Sequence, residues 1–131
     1  MTAEKTIKLL LLDDEKFLLN IYKLTFEKNG YEVSTYHDVD DALDALRKGF
    51  MPDVLMFDIT MPDSKSGYEF LETLQKEKLC RHSLKVALTN EGQDGAIERI
   101  RELGADAHLL KASLVPSEIV TKIAELLEAK R

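Results

Sequence analysis

Lys8-Leu9-Leu10-Leu11-Leu12-Asp13-Asp14-Glu15-Lys16-Phe17, or KLLLLDDEKF, runs four leucines straight into three acids. Continuous apolar character over so short a run suits a strand covered on both faces, as in a parallel sheet. Neighbouring carboxylates repel one another, and burial sharpens the repulsion. The acids therefore either cap the helix that follows, near its positive end, or surround a cation.

Further short apolar runs lie at residues 31–36, 54–57, 84–88 and 107–110, and the first extends over residues 7–12. The run at 31–36 alternates more than the others, which predicts a place nearer an edge. Helical patterns separate the runs. Phe17, Ile21 and Leu24 form the expected inward stripe of the first helix, which Gly30 ends. Asp38 is placed to cap the second, whose Ala42, Leu43, Ala45 and Leu46 point inward. Ser66 and Glu69 have capping-box spacing before Phe70, Leu71 and Leu74. Ile97, Ile100 and Leu103 mark a fourth helix. Pro116 opens a fifth, carrying Ile119, Ile123, Leu126 and Leu127.

This alternation predicts an α/β fold, a (βα)5 doubly wound parallel sheet with helices on both faces. Right-handed crossovers make all strands run one way, so their C-terminal ends share one edge, where such sheets bind ligands. Asp13, Asp14 and Glu15 follow the first run, Asp58 ends the third, Thr89 the fourth and Lys111 the fifth. Clustered carboxylates with hard oxygen donors select Mg²⁺, Mn²⁺ or Ca²⁺ over zinc. A metal, a lysine and a hydroxyl around one carboxylate make a site for a phosphoryl group, and a carboxylate can itself be the nucleophile.

The chain has 131 residues, of which 44% are hydrophobic and 32% charged, enough apolar material for one domain over residues 1–131. A formal net charge of −6 argues against direct binding of nucleic acid or an anionic membrane. The single cysteine, Cys80, excludes an internal disulfide and points to a reducing, cytoplasmic setting. No apolar stretch approaches the roughly 18 residues of a membrane span.

Over nearly its whole length the chain resembles the receiver domains of response regulators in two-component signalling. The resemblance rests on Asp13-Asp14, on Asp58 followed by Met61-Pro62 and Gly67, on Thr89, and on Gly104-Ala105-Asp106 leading to Lys111. It implies a flavodoxin-like sheet of order 2-1-3-4-5. It also implies that Asp58 accepts a phosphoryl group from a sensor histidine kinase or phosphotransfer protein. Mg²⁺, with Mn²⁺ as a substitute, would be held by Asp14 directly, by Asp13 mainly through water, by Asp58 and by the backbone carbonyl of Thr60. Lys111 would pair with the phosphoryl group. In that order its strand lies two spacings from that of Asp58, roughly 10 Å, a gap that needs a long side chain. Thr89 and His108 would switch, altering the surface made by the fourth helix, fifth strand and fifth helix. Glycines in Glu91-Gly92-Gln93-Asp94-Gly95 would provide the joint. The output would be a separate protein or a domain outside this chain, and homodimerisation on phosphorylation is an open possibility. Such a domain is a phosphoacceptor switch rather than an enzyme.

Four positions depart from the family pattern. The segment from Asp58 to Gly67 is one residue longer than usual, within Asp63-Ser64-Lys65-Ser66. Ala112 stands where a cis proline usually follows the lysine, so either a trans bond with a shifted loop or a strained bond is expected. His108 replaces the usual Tyr or Phe. Asn90 replaces a small residue after Thr89, and its bulk predicts slow hydrolysis of an aspartyl phosphate. A pseudo-receiver that binds partners without phosphorylation is the competing reading. A phosphoester hydrolase fits less well, because Thr60 stands where a second acid is needed. Glu15 is read as an ordinary acid of the helix's first turn.

Overall fold

The computed structural model describes residues 5–61, 65–90 and 94–130. Strands β1 (Lys8–Leu12), β2 (Glu32–Tyr36), β3 (Val54–Asp58), β4 (Leu84–Thr89) and β5 (Ala107–Leu110) alternate with helices α1 (Lys16–Lys28), α2 (Val39–Arg47), α3 (Gly67–Glu77), α4 (Asp94–Glu102) and α5 (Pro116–Lys130). All pairings are parallel and the order is β2-β1-β3-β4-β5. β1 is central, as its leucines require.

Alternation along β1 sorts the leucines into two layers. Leu10 and Leu12 pack with Leu43 and Leu46 of α2, Phe70 and Leu71 of α3 and Ile100 of α4. Leu9 and Leu11 pack on the other face with Leu19, Tyr22 and Phe26 of α1 and Ile119 and Ile123 of α5. Fully burying one such side chain contributes about 1.5–3 kcal/mol, so β1 anchors both layers. β2 lies on an edge and is only half-buried, in keeping with its alternating sequence.

α1 corrects the sequence reading. Its inward face is Leu19, Tyr22 and Phe26, whereas Phe17 is 80% and Leu24 55% exposed. The helix carries apolar residues at 17, 21 and 24 and also at 19, 22 and 26. Both sets satisfy helical periodicity, and only the sheet decides which one is covered.

The other helix starts follow their chemistry. Asp38 accepts a hydrogen bond from the Asp41 N–H at 2.8 Å. Ser66 and Glu69 form the reciprocal capping box. Pro116 occupies the first position of α5. Pro62, Asp63 and Ser64 of the segment after Asp58, and Glu91, Gly92 and Gln93 of the glycine joint, lie outside the described residues.

Candidate functional site

Strand register assembles the acids. Leu12 pairs with Phe57, so Asp13 follows β1 at the level where Asp58 ends β3. The Asp13 N–H continues the β1–β2 ladder by donating to the Tyr36 carbonyl at 3.2 Å. Asp13 and Asp58 are 1% and 2% exposed, and Asp14 is half-buried. One carboxylate oxygen from each of the three lies within 4.8 Å of the others.

Lys111 follows β5, held by its N–H donating to the Thr89 carbonyl at 2.8 Å. Its side chain crosses β4 and reaches β3, closing the gap that the sheet order creates. Nζ donates to Asp58 Oδ2 and to Glu15 Oε2, each at 2.9 Å. It also stands 2.8 Å from Asp13 Oδ2. That last approach is an ionic contact without hydrogen-bond alignment, because Asp13 Oδ2 is buried and accepts no hydrogen bond.

The remaining oxygens are positioned by backbone. Asp13 Oδ1 accepts the Glu15 N–H at 2.9 Å, and Asp58 Oδ1 accepts the Thr60 N–H at 3.0 Å. Both contacts fix the carboxylates by short turns at the strand ends.

One ammonium among four carboxylates leaves the site anionic, and the protonation balance follows. Burial raises the Asp58 carboxyl above the ordinary carboxylate range; Lys111 opposes the shift and Asp13 adds to it. Burial works to lower Lys111, but its contacts with Asp13, Asp58 and Glu15 outweigh it and hold the ammonium above its usual range. Tyr22, beneath the site, is pushed up to about 12, first by burial. Asp13 Oδ2, buried with an ionic contact to Lys111 but no aligned hydrogen bond, and the all-oxygen donor set fit a hard divalent cation, which would offset the surplus negative charge.

The other expected residues occupy different stations. Thr60, Asn90 and Ala112 line the mouth with Asp14, Glu15, Asp58 and Lys111. Thr89 is 7% exposed, and its hydroxyl donates to the Leu109 carbonyl at 3.5 Å, at the limit of a hydrogen bond. His108 is half-buried on β5, paired in register with Ala87. The Lys111–Ala112 bond is trans, since the described residues include no cis peptide.

Glu15 was not legible as a site residue. It is the N-cap of α1 by position, yet its side chain makes no capping bond and goes to Lys111 instead. The pair is 96 residues apart in the chain, so no local pattern announces it.

Gly67 is a packing requirement of the same corner. A Cβ there would stand 2.6 Å from the Asp58 carbonyl oxygen and 2.8 Å from Ile59 Cα. Both are backbone atoms of the segment that carries Asp58, so the start of α3 would have to move. Gly67→Ala is expected to lower stability by about 1–3 kcal/mol. Equilibrium urea denaturation checks this, and an unchanged midpoint would contradict the close approach.

Comparison with known proteins agrees with this fold. The family model described as response regulator receiver domain matches residues 9–124. The polar-differentiation response regulator DivK of Brucella ovis is 30% identical over 116 residues, covering 88% of this chain and 93% of its own length. A CheY-like response regulator receiver domain protein from Methanospirillum hungatei superposes with a TM-score of 0.84 at 27% identity, covering 96% of this chain and 97% of its own. The CheY4 chemotaxis response regulator of Vibrio cholerae gives a TM-score of 0.83 at 24% identity, covering 93% of this chain and 99% of its own, and at that identity supports the fold alone.

Proposed function

Because the chain belongs to the response regulator receiver domain family of two-component signalling, we propose that it is a phosphorylation-dependent switch with Asp58 as phosphoacceptor. The observation that carries this reading is the contact of Lys111 Nζ with buried Asp58 at 2.9 Å, made across an intervening strand beside two further aspartates. An Asp58 carboxylate oxygen attacks the phosphorus of a phosphohistidine. The new P–O bond forms as the P–N bond breaks, and the departing imidazole keeps the electron pair and takes up a proton. Asp13, Asp14, Asp58 and the Thr60 backbone carbonyl would hold Mg²⁺ or Mn²⁺. The ion supplies charge neutralisation for the phosphoryl oxygens.

Lys111 holds a phosphoryl oxygen from the opposite side. Thr89 leaves its long contact with the Leu109 carbonyl for the phosphoryl group. His108 reorients on β5, and the surface of α4, β5 and α5 changes. A sensor histidine kinase or phosphotransfer protein is the donor. The exposed Phe17 and Leu24 of α1, the helix that carries mouth residue Leu18, support α1 as its landing face. The response passes to a separate protein or to a domain outside this chain, with homodimerisation as one route. The setting proposed is the cytoplasm; no helix among the described residues is long and apolar enough to cross a membrane.

Transfer from a small phosphodonor such as acetyl phosphate, with Mg²⁺, tests the reading. Stable incorporation into wild type supports it, and none at any donor concentration favours the pseudo-receiver. Asn90 is exposed at the mouth, where it restricts attacking water. Asn90→Ala is expected to shorten the aspartyl phosphate half-life by about threefold or more, equivalent to a modest drop in barrier. Decay of the purified phosphoprotein after donor removal measures this, and an equal or longer half-life in the variant would contradict it.

A further inference from the structure

Glu15 is the unassigned member of the site. Lys111 Nζ is crowded by three carboxylates: it donates to Asp58 and Glu15 at 2.9 Å each and stands 2.8 Å from Asp13. An arriving phosphoryl oxygen that pairs with Nζ presses on these oxygens, and the least restrained of them gives way. Asp13 and Asp58 are tied down: their side chains are 2% and 3% exposed, and each holds a backbone N–H through its other oxygen. The Glu15 side chain is 62% exposed, caps nothing and can swing into solvent. It stands at the mouth through which an anionic phosphodonor enters.

We propose that Glu15 is a positioning residue that holds Lys111 in an acid-paired resting state and gives way when a phosphoryl group takes its place. This rests on the phosphoacceptor reading of Asp58. Glu15 then acts as a built-in brake. Its carboxylate competes with the phosphoryl oxygens for one N–H of Lys111 and repels the donor dianion. The competition is modest, because the pair is partly solvated and screened by salt. Loss of a partly solvated pair of this kind corresponds to about a two- to fivefold change in an equilibrium constant.

The experiment uses Glu15→Gln, an exposed substitution that keeps the side chain's size. The first readout needs neither metal nor phosphorylation: the rate at which an amine-selective acetylating reagent modifies Lys111, followed by peptide mass spectrometry with the exposed Lys28 as a reference on α1. Release from Glu15 is expected to speed Lys111 labelling about two- to fivefold relative to Lys28. The second readout is phosphorylation by acetyl phosphate with Mg²⁺. The half-saturating donor concentration should fall by a similar factor, while the maximal rate changes less. Unchanged labelling would overturn the contact's role. Faster labelling with unchanged donor dependence would overturn the brake. Wild type that takes no phosphoryl group would defeat the phosphoacceptor reading and the brake with it, yet labelling would still decide whether Glu15 restrains Lys111.

Discussion

Asp58→Asn is expected to abolish phosphoryl incorporation and, in metal-free buffer near neutral pH, to raise the melting temperature. The first effect follows because the amide is not a nucleophile of comparable strength. The second follows from burial. Asp58 is 2% exposed, and its carboxyl is raised above the ordinary range by burial, despite Lys111. A carboxyl whose folded pKa is raised contributes stability below its unfolded pKa and loses that contribution as pH rises through the folded value. At neutral pH the ionised carboxylate therefore costs stability, and a neutral isostere removes the cost. The amide oxygen still accepts from the Thr60 N–H, and Lys111 keeps Asp13 and Glu15. Added Mg²⁺ should stabilise wild type and have little effect on the variant. Thermal melts with and without Mg²⁺ measure this, and a variant that melts lower in metal-free buffer would contradict the electrostatic reading.

Lys111→Met should have the opposite sign. It removes the cation that faces two buried carboxylates and leaves their charges uncompensated. Removing one partner of a buried pair costs about 3–5 kcal/mol; the lower end applies here, because Asp58 retains its backbone hydrogen bond. The loss should be largest at neutral pH. It should shrink as pH falls and Asp58, raised further without its lysine, takes up a proton. Saturating Mg²⁺ should recover most of it, since a ligand at 100 times its Kd stabilises by about 2.7 kcal/mol. Urea denaturation with EDTA and with Mg²⁺ provides the comparison. A variant as stable as wild type in EDTA would show that Lys111 does not balance the acids.

The fold was legible because its decisive signals are local. Leu9 to Leu12 suit a strand covered on both faces, and Asp38, Ser66 with Glu69, and Pro116 mark helix starts by chemistry that acts within one turn. The candidate acids were legible because strand ends share one edge. What sequence could not decide was which of two equally periodic stripes of α1 faces inward. Packing against the sheet chose Leu19, Tyr22 and Phe26 over Phe17 and Leu24. Glu15 escaped for a related reason: its partner lies at the far end of the chain. Gly67 was legible as part of a family pattern, but the lack of room for a Cβ against the strand end is a property of the folded corner alone.

The proposed switch depends on one bond, between Asp58 and a phosphoryl group. Intact-mass measurement after incubation with acetyl phosphate and Mg²⁺, followed by borohydride trapping and peptide mapping, tests it most directly. The expected result is a gain of one phosphoryl group, located on Asp58, lost with EDTA and absent from Asp58→Asn. A wild-type mass that stays unchanged, or a phosphoryl group on any other residue, would contradict it.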